Sequence, residues 1–204
     1  MDKRWRKRVA KRFQSLSGNG CRILDVACGT GDLALAIFEV TGSRVIGIDF
    51  CRPMLEIASR KASTLNGHLP FVEGDALSLP FRDGAFDGVT IAFGLRNLSS
   101  VEAGLKELLR VLKPGGMAAV LEFSKPIVPG FRGLFQFYFN RVLPFLGGIV
   151  SGSKSAYEYL PESVTRFPNQ EQLAAMMRNL GFADVDYLNL TGGIAALHSG
   201  TKPK

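Results

Sequence analysis

An apolar run that breaks into a small-residue turn, Ile23-Leu24-Asp25-Val26-Ala27-Cys28-Gly29-Thr30-Gly31-Asp32, constrains this chain more than any other feature. Residues 22–26 have the length and composition of a buried strand. A turn of alanine, cysteine and glycines lets backbone N–H groups approach a ligand with no side chain in the way. Asp25 precedes that turn, and a second acid, Asp49, ends the next apolar run, Val45-Ile46-Gly47-Ile48, where it can accept hydrogen bonds from ribose hydroxyls. The pair reads as a nucleotide-type cofactor site.

From Arg22 onward, strand-like runs alternate with helical periodicity. The spacing predicts strands at 22–26, 44–48, 69–73, 88–93 and 117–122, and helices at 32–40, 53–65, 101–112 and 170–180, the third helix being stopped by Lys113-Pro114-Gly115-Gly116. Strands alternating with helices imply a parallel sheet covered on both faces, an α/β fold. Thr191-Gly192-Gly193 joins runs at 185–190 and 194–198, which predicts a hairpin and therefore a last strand antiparallel to the rest. At 204 residues, 46% hydrophobic and 21% charged, one soluble domain spanning 1–204 is expected.

Charge is unevenly placed. The net charge is +7, and residues 1–12 hold seven basic side chains against one acid, so +6 of it lies there. That argues against a domain-wide nucleic-acid surface. Residues 1–16 read as a basic N-terminal helix, and a basic segment that also holds Trp5, Val9 and Phe13 suits either a solvated helix or an anionic membrane surface. Cys21, Cys28 and Cys51 lack paired metal spacing and no secretory segment opens the chain, so a reducing cytoplasm is expected, without disulfides or metal.

Residues 130–150 break the regular pattern with Phe131, Phe135, Phe137, Tyr138, Phe139 and Phe145. Arg132, Arg141 and Pro144 interrupt the stretch, which makes it a poor transmembrane helix. It reads as a core-facing helix, a substrate lid or a membrane-facing helix; within 127–165 we expect an aromatic cap over the substrate.

A glycine-rich first turn alone is weak, because dinucleotide dehydrogenases have one. Their G-x-G-x-x-G pattern is missing here: three positions after Gly31 stands Ala34. Acid-x-small-x-Gly-x-Gly instead looks like the S-adenosylmethionine site of class I methyltransferases, with Asp49 at the ribose position and Gly74-Asp75-Ala76 where the adenine ring would be met. Each residue has a plainer reading. Asp25 equally suits a turn cap, Asp75 an Asx-turn, and Cys28 and Cys51 the filling of space, while His68 and His198 carry little catalytic promise.

Four further elements narrow the family: Phe93-Gly94-Leu95-Arg96-Asn97, Arg110-Val111-Leu112-Lys113-Pro114-Gly115-Gly116, Leu121-Glu122-Phe123-Ser124-Lys125-Pro126 and Tyr157-Glu158-Tyr159-Leu160-Pro161-Glu162-Ser163-Val164. With them the chain, from about Lys3 to Lys202, resembles the menaquinone and ubiquinone biosynthesis C-methyltransferases. The resemblance implies a Rossmann-like sheet of seven strands. It also implies methyl transfer from S-adenosyl-L-methionine, leaving S-adenosyl-L-homocysteine, to a ring carbon of a polyprenylated quinol: demethylmenaquinol, or the benzoquinol of the ubiquinone pathway. It places cofactor contacts at Asp25, Ala27, Gly29, Thr30, Gly31, Asp49, Asp75 and Ala76, and at Ala92, where some relatives have serine.

On the acceptor side it points to Arg96 and Asn97. Arginine stays protonated, so Arg96 would stabilise a quinolate or orient a water, with Glu122 as a second candidate for proton handling. The family carries an N-terminal segment of some tens of residues ahead of the part aligned with Lys3-Arg4-Trp5, which helps cover the site; a more open site is expected here. Other readings are a methyltransferase for another lipid-like or small aromatic acceptor, an inactive S-adenosylmethionine-binding scaffold and, more distantly, a nicotinamide oxidoreductase. The substrate suggests a place on the inner face of the cell membrane, reached through 1–16 and 130–150; a homodimer is left open.

Overall fold

The computed structural model describes residues 3–18, 20–63, 65, 69–125, 127 and 166–204. The aromatic stretch 130–150, the motif at Tyr157–Val164 and His68 lie outside the described residues, so the substrate cap expected at 127–165 does as well, apart from Ile127.

Seven strands form one sheet: β1 (Arg22–Val26), β2 (Arg44–Asp49), β3 (Phe71–Glu73), β4 (Phe86–Ala92), β5 (Leu112–Phe123), β6 (Ala183–Leu190) and β7 (Ala195–Thr201), in the order β3-β2-β1-β4-β5-β7-β6. The first five run parallel, while β7 is antiparallel to both β5 and β6, as the Gly-Gly turn predicts. Chain order reverses between β1 and β4. The carboxyl ends of these strands therefore open the crevice at which sheets of this kind bind ligands.

Alternation along the strands builds two apolar layers. Leu24, Val26, Ala118 and Val120 face one side, where they meet Leu105, Leu108 and Val111 of α4 (Val101–Val111) and Leu173 and Met177 of α5 (Gln170–Asn179). Ile23, Ala119 and Leu121 face the other, against Leu33, Ala34 and Ile37 of α2 (Asp32–Thr41) and Val9, Ala10 and Phe13 of the N-terminal segment. Helix ends carry their expected signals. Ser100 caps α4 by accepting from the Ala103 N–H at 3.1 Å, and Asn169 with Gln172 forms a capping box on α5. Pro53 occupies the first turn of α3 (Arg52–Ala62).

Four expectations need correction. α3 ends at Ala62 rather than 65, and β3 begins at Phe71 rather than 69, because only Phe71–Glu73 pair with β2. Lys113-Pro114-Gly115-Gly116 does not separate helix from strand. β5 starts at Leu112, opposite Phe86, and the next pair is Gly88 with Met117, so the four residues bulge from the ladder with Gly115 at φ 77°. The basic helix α1 (Lys3–Arg12) turns Val9 and Ala10 inward, with Phe13 just beyond its end, and all three are fully buried. A Cβ on Gly88 would lie 2.8 Å from the Phe13 ring, so that ring is seated on the bare backbone of β4. Of the apolar side chains offered to a lipid surface by the sequence, Val9 and Phe13 are thus part of the core and Trp5 is half-buried against it, while the cations of α1 lie mainly outside.

Candidate cofactor site

At the crevice lies a cavity of about 340 Å³ whose walls come from four of the strand ends: Val26 and Ala27 after β1, Ile48 and Asp49 of β2, Gly74, Asp75 and Ala76 after β3, and Phe93, Gly94 and Asn97 after β4. Close backbone approach shapes it. Ala27 adopts φ 52°, and a Cβ on Gly94 would sit 2.5 Å from the Ala27 Cβ, so only glycine lets the two turns meet. Gly31, at φ 77°, opens α2 and lies against Phe71 and Ala58.

Asp49 is fixed from both sides. Its Oδ2 accepts from the Gly29 N–H at 2.8 Å and its Oδ1 from the Cys51 N–H at 2.9 Å. A carboxylate has about four lone-pair positions, so acceptor capacity remains for hydroxyls. Asp25 differs: it is buried behind the turn, its Oδ2 has no hydrogen-bond partner, and burial pushes its pKa up to about 8. Burial likewise pushes the Cys28 thiol far up, which makes it an inert filler rather than a nucleophile. Asp75 accepts from the Leu77 N–H at 2.8 Å, so it forms the expected Asx-turn and also lines the cavity.

Ala27, Gly29, Asp49, Asp75, Ala76 and Asn97 are therefore gathered in the cavity wall, whereas Asp25, Thr30, Gly31, Ala92, Arg96 and Glu122 stand behind or beside it. The Lys61 ammonium donates to the Thr30 carbonyl at 3.1 Å, to the Thr30 hydroxyl at 3.0 Å and to Asp32 at 2.7 Å, clamping the glycine turn from α3. Arg96 and Glu122 form a buried ion pair, with side chains only 8% and 1% exposed and 2.6 Å between Nη1 and Oε1. The same guanidinium donates to the Phe93 carbonyl at 2.6 Å and lies 5.1 Å from the Phe123 ring centre, while its Nε has no partner. Burial raises the Glu122 pKa, against the pull of Arg96. Asn97 donates to the Phe93 carbonyl at 3.4 Å and lines the cavity.

Several wall residues escaped the sequence reading. Met54 and Phe50 line the cavity while 44% and 79% exposed, and an apolar ring left in water directly after the strand-ending acid is the signal that would have found Phe50. A wider groove between α3 and β3 carries Arg52, paired with Glu56 and Glu73 at its surface, and no glycine turn; it is surface relief.

Residues 1–202 match the model of the ubiE/COQ5 methyltransferase family. A demethylmenaquinone methyltransferase from Thermus thermophilus is 53% identical over 203 residues, covering 99% of this chain and 91% of the relative. The chain belongs to the ubiE/COQ5 methyltransferase family. A demethylmenaquinone methyltransferase from Staphylococcus carnosus is 44% identical over 202 residues, 98% of this chain and 83% of the relative. In fold, a SAM-dependent methyltransferase from Aquifex aeolicus superposes with a TM-score of 0.68 at 20% identity, over 96% of this chain and 88% of that one. As a family member the chain is an S-adenosylmethionine-dependent methyltransferase. Its cavity fits that cofactor: a few hundred cubic ångströms, a bare backbone turn, a fixed acid at the ribose position and a buried, partnerless carboxylate oxygen behind the turn.

Proposed function

We propose that this enzyme methylates a ring carbon of a polyprenylated quinol, with demethylmenaquinol as acceptor. The observation that carries the reading is the cavity at the β1/β4 switch point, with Asp49 on one wall and Phe93, Gly94 and Asn97 on the other, in a chain that its named relatives match almost end to end.

Bound there, S-adenosylmethionine supplies an electrophilic methyl group on a positively charged sulfur. The chain's own residues bind and orient. Asp49 accepts from ribose hydroxyls, Gly29 and Ala27 present backbone, and Asp75 and Ala76 border the base. Asn97 holds the acceptor hydroxyl by a hydrogen bond; the hydroxyl proton passes to water, which enriches the neighbouring ring carbon in electrons, and after methyl transfer the ring C–H proton leaves to restore the aromatic ring and the hydroxyl. Arg96 and Glu122 act as positioning residues. Their ion pair and the bond to the Phe93 carbonyl fix the 93–97 turn that presents Asn97. Catalysis of this kind draws mainly on holding carbon and methyl at near-attack distance.

The acceptor dissolves in membrane, and no helix of the described residues is long and apolar enough to cross one. The reading therefore includes a peripheral contact at the inner face of the cell membrane through the outward cations of α1, among them Lys3, Lys7, Arg8 and Lys11. Incubation with methyl-labelled S-adenosylmethionine and demethylmenaquinol tests the central step. Label in the quinone ring is expected; label only in other aromatic acceptors, or cofactor binding without transfer, overturns it.

A further inference from the structure

We propose that Trp5, on the N-terminal helix, is a positioning residue for the cofactor cavity, acting through a cluster of three rings that holds Phe93 in place. α1 lies outside the sheet and contributes nothing to the cavity wall itself, so it would ordinarily pass for a cover over one apolar layer. Its tryptophan, the single one in the chain, reaches further. The indole lies 6.1 Å from the Phe93 ring at 34° and 6.5 Å from Phe123 edge-on at 82°, and Phe93 and Phe123 are themselves 4.7 Å apart. These separations belong to attractive aromatic pairs.

Phe93 needs such support. It lines the cavity, yet its backbone sits at φ 57°, a left-handed conformation that a bulky side chain keeps only where its surroundings impose it. Backbone bonds hold the main chain, from the Phe93 N–H to the Leu121 carbonyl at 2.8 Å and from Arg96 to the Phe93 carbonyl. The ring is held by Trp5 and Phe123. Phe123 in turn lies beneath the Arg96 guanidinium, so the same cluster touches both the cavity wall and the buried ion pair.

The indole is fixed as well. Its Nε1 donates to the Thr191 hydroxyl at 3.1 Å, in the turn between β6 and β7. α1 cannot rotate about its axis while Val9, Ala10 and Phe13 are buried and Arg6 pairs with Asp32 at 3.3 Å. Four segments distant in sequence thus meet at one indole: α1, the exit of β4, the end of β5 and the β6–β7 turn.

The proposal rests on the cofactor reading of the cavity, and S-adenosylhomocysteine binding by the wild type and its variants tests it. Wild type binds if that reading holds, and a wild type that does not bind refutes the reading itself. Trp5→Ala is expected to weaken binding about tenfold, the size of effect that losing two ring contacts predicts, and Trp5→Phe to stay within about threefold of wild type. Val9→Ala, in the same helix and buried but not one of the three rings, lowers the melting temperature and leaves affinity unchanged. If Trp5→Ala does not fold, Thr191→Val, which removes only the bond orienting the indole, carries the test with a loss of about threefold. Wild-type affinity in Trp5→Ala, or in Thr191→Val where that variant stands in, overturns the proposal, as does an equal loss in Val9→Ala.

Discussion

Ionising Asp25 works against the fold. Its folded pKa of about 8 lies above the ordinary carboxyl value of 3.8, so folding favours the neutral acid, and this contribution to stability is complete below about pH 4 and disappears as pH rises toward 8. Asp32, Asp87 and Glu107, whose pKa values are lowered, slope the other way, so the informative quantity is a difference between proteins. Asp25→Asn should gain on wild type steadily between pH 5 and pH 8 in thermal melts, reaching at least ~1 kcal/mol, or about 2–4 °C. It should also weaken cofactor binding. Arg96 gives the complementary case. Arg96→Ala leaves the Glu122 carboxylate with backbone N–H partners but no counter-charge where its side chain is 1% exposed, at a cost of about 3–5 kcal/mol in denaturant unfolding. The double variant Arg96→Ala/Glu122→Gln removes that buried charge and should recover most of the stability but little turnover. Turnover in Arg96→Ala should fall far more than cofactor affinity.

Elements fix which of these residues meet. β1, β2, most of β4 and the 117–122 part of β5 were legible because each is mainly β-branched or apolar, and the glycine turn, Asp49 and Asp75 because an acid or glycine at a strand end has few other uses. Lys61 reaching Thr30, or Trp5 reaching Thr191 across 186 residues, leaves no periodic trace; each depends on the folded arrangement of elements. The same holds for α1, whose alternating cationic and apolar residues suit a core and a lipid surface equally until the sheet is in place. Arg96 and Glu122 were found through family resemblance, and their mutual pairing was not foreseen. At this scale Gly94→Ala is the informative change, because its added Cβ meets the Ala27 Cβ at 2.5 Å and forces apart the turns that face each other across the cavity. Calorimetric melts should show a loss of about 1–3 kcal/mol, the usual cost of overpacking, together with strongly weakened cofactor binding.

For the whole molecule, a charge of +6 within residues 1–12 on a body of +1 makes the cationic face of α1 the part that an anionic surface attracts first. Because Val9, Ala10 and Phe13 are buried, that attraction is electrostatic rather than insertive. The protein should float with anionic liposomes at low salt, release as salt rises, and lose flotation when Lys7, Arg8 and Lys11 are replaced by glutamate. Loss of flotation would detach the enzyme from its acceptor without altering the cavity. The cavity itself is tested most directly by equilibrium dialysis of the wild-type protein against labelled S-adenosylhomocysteine. One saturable site per chain is the predicted result, and the absence of any bound label at saturating concentration would contradict the account.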